Sequence, residues 1–294
     1  MHKYLRAIGF SKIKTREQIE ALLQETEKNY TDHQFVVYDN ETCVGDYIKE
    51  TAPDMGIVCS GEFDAFDNFT RDYYFPYYRG RHVSTTESSI VERHAANISF
   101  AGVCDDAKIG ISIIYYLLNR TRFIMDSYKS DSDVVKNVSV SLSALGYNGT
   151  IMMPLAKPEV AKTRAEAGSR KRNKLLEAAR NGDESAIESL TLEDLDIYSS
   201  ILRKIRKTDI YTLVDTYFMP SGVECDQYSI LGEITELSEV ENSMTGEKVV
   251  CMTLECNGIL IDTCINREDL YGEPEVGRRF KGNVWLQGYL NYLQ

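Results

Sequence analysis

The sequence predicts an α+β protein in three parts: a mixed N-terminal domain on a largely antiparallel sheet (1–156), a helical middle segment (157–224), and a small OB-like β-barrel (225–294). Three observations predict it. One amphipathic helix precedes a series of short alternating runs, the composition turns helix-like after residue 156, and strand patterning with a strong hairpin signal returns after residue 225. A chain of 294 residues is long enough for two domains of about 100–200 residues each.

Thr15-Arg-Glu-Gln18 has the spacing of a capping box, and Ile19, Leu22, Leu23 and Thr26 then fall on one face, which predicts a helix over 15–29 that packs on a sheet. Gln34–Tyr38 and Gly56–Gly61 read as short strands between turn residues. Ile90–Val103 reads as a long strand, turned at Asp105-Asp106 into a second at Ile109–Leu118. Val138-Ser-Val-Ser-Leu142 alternates cleanly inside a strand over 134–145, and Gly146-Tyr-Asn-Gly149 reads as a turn before Thr150–Leu155.

From Pro158 to Arg180 the chain is rich in Ala, Lys, Arg and Glu with no β-branched run, a helix-forming composition. Asn181-Gly182 supplies a stop, and Thr191-Leu-Glu-Asp194 starts a further helix with Leu195, Tyr198, Ile201, Leu202 and Ile205 on its apolar stripe. Strands resume at Tyr228–Ser238. Ser243–Glu247 turns into Lys248–Cys256, and Asn257-Gly258, the strongest hairpin signal in the chain, leads to Ile259–Ile265. A helical turn at Arg267–Leu270 and a last strand at Arg279–Leu290 complete what reads as the barrel.

The charge balance narrows the function classes. Thirty-three basic residues face 45 acidic ones, a net of −12, and the segment from 225 onward carries twelve acidic residues against five basic. Phosphate affinity comes from clustered Lys and Arg, so this balance argues against nucleic acid as the partner of the barrel. Nineteen tyrosines suit half-buried strands and contact surfaces, which points to a protein partner or a homo-oligomer. Neither a signal-peptide core nor an apolar run near the ~20 residues that span a bilayer occurs, so no membrane contact and a cytoplasmic location are expected. Seven cysteines without a Cys-x-x-Cys suggest neither a disulfide framework nor a zinc ribbon.

Three segments hold candidate site residues. In Tyr73-Tyr-Phe-Pro-Tyr-Tyr-Arg-Gly-Arg-His82, the residues Tyr77, Tyr78, Arg79, Arg81 and His82 combine stacking rings with cations and suit ligand binding; packing of a loop against a sheet edge explains the same residues. The basic stretch from Lys157 to Lys174, with Arg170, Lys171 and Arg172 at its centre, suits an acidic polymer, or serves as an electrostatic counterweight to acidic neighbours. Glu92 and His94 share a face of a strand and suit an acid–base pair, or a plain surface ion pair. Cys251, Cys256 and Cys264 read as buried core cysteines. No Gly-rich phosphate loop, nucleophile elbow or zinc helix is present, so no catalytic residue, metal or cofactor is assigned. A non-catalytic binding or assembly protein is the leading expectation. A nucleic-acid binder using the basic helix and an enzyme with a site near His82 or His94 are the alternatives.

The opening Met1-His-Lys-Tyr-Leu-Arg-Ala-Ile-Gly-Phe-Ser11, Glu177-Ala-Ala-Arg-Asn-Gly-Asp183, Gly222-Val-Glu-Cys-Asp-Gln-Tyr228 and Gly277-Arg-Arg-Phe-Lys-Gly-Asn-Val-Trp-Leu-Gln-Gly288 resemble a bacterial family known as a domain of unknown function, along the whole chain. The resemblance implies a cytoplasmic bacterial protein. It implies no activity, ligand or catalytic residue.

Overall fold

The capping box forms as its spacing predicts. In the computed structural model the Gln18 amide donates to Thr15 Oγ1 and the Gln18 side chain accepts from the Thr15 amide, starting helix α1 at Arg16–Lys28. Structure is described for residues 3–155 and 214–292, apart from 39–41, 65, 67, 95–96, 107, 128–133 and 136–137, with a few positions between 175 and 190. Nearly all of the predicted helical middle lies outside the described residues.

Fifteen strands and two α-helices are named among the described residues, so the molecule is mostly β. Strands β1 (Asp32–Val37), β2 (Cys43–Ala52), β3 (Met55–Phe63) and β4 (Phe69–Tyr78) form an antiparallel sheet in the order β1-β2-β3-β4. The segment Tyr73–Tyr78 is thus an edge strand rather than a loop. Pro76 fits there, because an edge position loses no ladder hydrogen bond to a ring nitrogen.

The second sheet has 11 strands. It contains β5 (Ser89–Arg93), β6 (Phe100–Asp105) and β7 (Ser112–Leu117), then, past helix α2 (Arg120–Ser127), β8 (Val134–Val135) and β9 (Val138–Met152). The later part of the chain adds β10 (Tyr217–Pro220), β11 (Gln227–Glu241), β12 (Lys248–Cys256), β13 (Ile259–Asn266), β14 (Leu270–Tyr271) and β15 (Arg279–Tyr292). The order is β10-β11-β12-β13-β9-β15-β7-β6-β5-β8, with β14 beside β9 and a further pairing of β11 with β15.

Several expectations are corrected here, the α+β class among them, since the described residues are mostly strand in two sheets. The tail does not form an OB-like barrel of its own. Its β13 pairs in parallel with β9 (Asp262↔Ser143), and its β15 pairs antiparallel with β9 from Arg279↔Met152 to Tyr292↔Val138. Within the tail β11 pairs with β12 and β15, and β12 with β13, which leaves one side of β13 and one side of β15 open, and the long N-terminal strand β9 pairs with both. The hairpins themselves fall where the sequence places them, including the Asn257-Gly258 turn, where both residues have positive φ. Secondly, Gly146–Gly149 does not turn the chain. β9 runs through it with a bulge opposite Lys281/Asn283, and Asn148 takes φ +54°. An Asn in the left-handed region serves a bulge as well as a turn. Likewise Ile90–Val103 divides into β5 and β6, a hairpin rather than one strand.

Two apolar clusters make the core. One lies on the large sheet around Ile113, Leu142, Ile230, Leu254 and Val284. The other joins the N-terminal 3-10 turn (Tyr4, Leu5, Ile8), α1 (Leu22, Leu23), the small sheet (Ile57, Phe75) and Trp285 of β15, and so ties the two sheets together. A buried ion pair adds to that tie. Arg120, which opens α2, donates to Asp46 of β2 at 2.7 and 3.1 Å, to the Gly45 carbonyl at 3.0 Å and to Tyr73 Oη at 2.8 Å. Their side chains are 3% and 6% exposed, so each charge depends on the other.

Candidate functional site

The 73–82 segment meets three different surroundings. Tyr77 and Arg79 reach a cleft between the sheets, Tyr78 turns into the core, and Arg81 and His82 lie in a strap that crosses the large sheet.

The cleft follows from strand register. On the inner face of the small sheet, cross-strand rows run Gln34–Asp46–Ser60–Tyr73, then Asp32–Ile48–Val58–Phe75, then Glu50–Gly56–Tyr77. Leu118, Asn119 and Tyr289 face them from the other side, and together they enclose about 220 Å³. Gly56 leaves the third row open, and any side chain there would strike the Lys49 carbonyl. Two of the cleft's carboxylates are already matched. Asp46 is paired with Arg120 and bonded by Ser60 Oγ at 2.5 Å, and Asp54 is paired with Arg81 at 2.6 Å. Arg79 stacks its guanidinium on the Tyr289 ring at 4.1 Å from the centroid. Burial, first, and the nearby Glu50 and Asp54 charges push the Tyr77 phenol up, so it stays protonated and can donate.

The strap is fastened by Asp262 of β13. This buried carboxylate accepts from the Arg81 amide at 2.6 Å, the His82 amide at 3.0 Å and Thr253 Oγ1 at 2.8 Å, and it hydrogen-bonds with His82 Nδ1 at 2.9 Å. His82 Nε2 lies 3.4 Å from Glu236. The bond to Asp262 raises the His82 pKa, burial opposes it, and the Asp262 and Glu236 charges add to the rise. Ser84 Oγ donates to the Leu260 carbonyl at 2.5 Å and accepts from the Leu142 amide, which pins the strap across β13 and β9. The arrangement orients a histidine with a buried carboxylate, as catalytic dyads do. Both ring nitrogens are engaged by carboxylates of the protein, which makes this a clasp.

Tyr78 is buried beside Cys251 and Cys264, and its amide donates to Gln287 Oε1 at 3.0 Å. Cys251, Cys256 and Cys264 are buried as expected, and burial raises all three thiols. Glu92 and His94 are not brought together: His94 lies past the end of β5 and its Nδ1 hydrogen-bonds with Ser99 Oγ at 2.8 Å. Arg170, Lys171 and Arg172, with the rest of the basic stretch, lie outside the described residues. No group of three metal-ligating side chains occurs among the described residues.

A third feature went unread in the sequence. On the outer face of the small sheet, beyond the reach of α1, rings touch in a chain. His33 and Phe35 stack at 6.1 Å, Tyr30 meets His33 at 5.3 Å and Tyr47 at 4.9 Å, and Tyr47 meets Phe69 at 4.7 Å. Phe63 joins Phe69 at 5.2 Å and covers Gly45, where a Cβ would sit 2.4 Å from its ring. Tyr30, Phe35 and Val37 are 43%, 58% and 60% exposed. The signal was present as alternation in His33-Gln-Phe-Val-Val37, but only the sheet order reveals that β1 is an edge.

A family model described as "Domain of unknown function, E. rectale Gene description (DUF3881)" matches residues 5–288. The chain belongs to that family. No curated protein and no solved structure matches it. The DUF3881 match bears out the resemblance along nearly the whole chain and, like it, names no activity. No described helix of this family member is long and apolar enough to cross a membrane.

Proposed function

We propose that this protein is a non-catalytic binding or assembly protein, and that it takes an extended polypeptide strand of a partner at the free edge of β1. The supporting observation is the exposed edge itself. β1 pairs with β2 over six residues without a bulge, from Asp32↔Ile48 to Val37↔Cys43, and carries neither proline nor lysine on its open side. Native sheets ordinarily blunt such an edge, because its unpaired amides and carbonyls accept another strand. The neighbouring ring surface offers the apolar contact that such a strand needs.

Charge favours a basic partner. Asp32 lies in β1 itself, and the chain carries a net −12, which disfavours a second copy of itself. The cytoplasm, where reducing conditions suit seven free cysteines, is the compartment we assign.

Fluorescence anisotropy with a labelled peptide alternating lysine and valine tests the reading. Binding that weakens with salt and is lost in Phe35→Lys is expected. Failure of this peptide to bind, or equal binding of a glutamate–valine peptide, contradicts the reading. Sedimentation showing self-association that Phe35→Lys abolishes assigns the edge to a second copy instead.

A further inference from the structure

We infer that the cleft between the two sheets is a binding site for a small diamino acid, one carrying a carboxylate and two cationic groups. Size sets the first limit. Pockets for drug-sized ligands and cofactors run to about 300–1,000 Å³. A cleft of about 220 Å³ takes something smaller than a nucleotide.

Charge sets the second limit. Once Asp46 is matched by Arg120 and Asp54 by Arg81, the charges left in the lining are Asp32 and Glu50 against Arg79. Arg79 has no ion-pair partner among the described residues; it is held flat against Tyr289 with its nitrogens open to a ligand. Among the described residues Asp32 and Glu50 accept only backbone amides, from His33 at 2.8 Å and Asp54 at 3.1 Å, which leaves each with acceptor capacity. The lining therefore offers one cation and two anions, a net of −1. A ligand with one carboxylate and two ammonium or guanidinium groups complements it in both number and sign.

Between these poles lie Ile48, Val58 and Phe75, one apolar row that suits a methylene chain. The two carboxylates belong to adjacent rows of that face, Asp32 beside Ile48 and Glu50 across from Gly56. A planar guanidinium is well matched to a carboxylate, and charge-assisted contacts of this kind are stronger than neutral ones.

Isothermal titration calorimetry of the whole chain with lysine, arginine, leucine, glutamate and cadaverine tests the inference. Lysine or arginine is expected to bind, with leucine and cadaverine each weaker by about tenfold or more and glutamate silent. Glu50→Gln and Asp32→Asn should erase the advantage of lysine over leucine, and Arg79→Gln the advantage of lysine over cadaverine. All three positions are exposed, so the variants should keep the melting temperature of the parent without ligand. Cadaverine binding as tightly as lysine, no heat from lysine or arginine at millimolar concentration, or unchanged selectivity in folded variants each overturns it.

Discussion

Asp262 shows how one buried carboxylate organises a stretch of chain distant in sequence. It accepts from two successive amides of the strap, from Thr253, and meets the His82 ring. Asp262→Ala strands the Arg81 and His82 amides and the buried Thr253 hydroxyl and should destabilise the fold by about 2–4 kcal/mol, measured by urea unfolding. The His82 pKa is raised on folding, so the clasp favours the protonated ring. Its stabilisation is therefore full below about pH 6.5, the unfolded histidine value, and is lost as pH rises through the higher folded value. Melting curves across that window should show the loss, and His82→Gln should remove it. Arg120→Met should cost about 3–5 kcal/mol because Asp46 stays buried and unpaired, whereas Arg120→Met with Asp46→Leu should recover most of that. Of these residues the sequence singled out only His82 and Arg81. Their partners Asp54 and Asp262 lie in other strands, and register across a sheet is not written in local spacing.

At the scale of elements, local signals carried far. The capping box set α1, and Asn257-Gly258 set the β12–β13 hairpin, because both depend on a few consecutive residues. What local signals missed was neighbourhood. Tyr73–Tyr78 reads as a plug because its aromatic density hides alternation, yet it is the edge strand β4 with Pro76 tolerated there. β1 reads as an ordinary strand, yet its position at the other edge makes Phe35 and Val37 a contact surface. Phe35→Lys should change stability by no more than about 0.5 kcal/mol, since the ring is exposed, while it removes binding of the basic strand. Unfolding curves and anisotropy measured on the same sample separate the two effects.

For the molecule as a whole, β9 is the strand on which both halves of the chain depend. It lies between β13 and β15 of the tail while belonging in sequence to the first half. Strand patterning cannot reveal a partner more than a hundred residues away, which is why the tail reads as a self-sufficient barrel. Residues 225–294 expressed alone should therefore lack a cooperative unfolding transition by circular dichroism, because β13 and β15 lose their ladder with β9. The same arrangement places the small sheet on the outside, held by Arg120 and the Trp285 cluster, with its first strand facing solvent. Residue-resolved hydrogen exchange with and without the lysine–valine peptide tests this edge most directly. Slowed exchange in Asp32–Val37, with α1 and β9 unchanged, is the expected result; protection that appears elsewhere while Asp32–Val37 exchanges as before would contradict it.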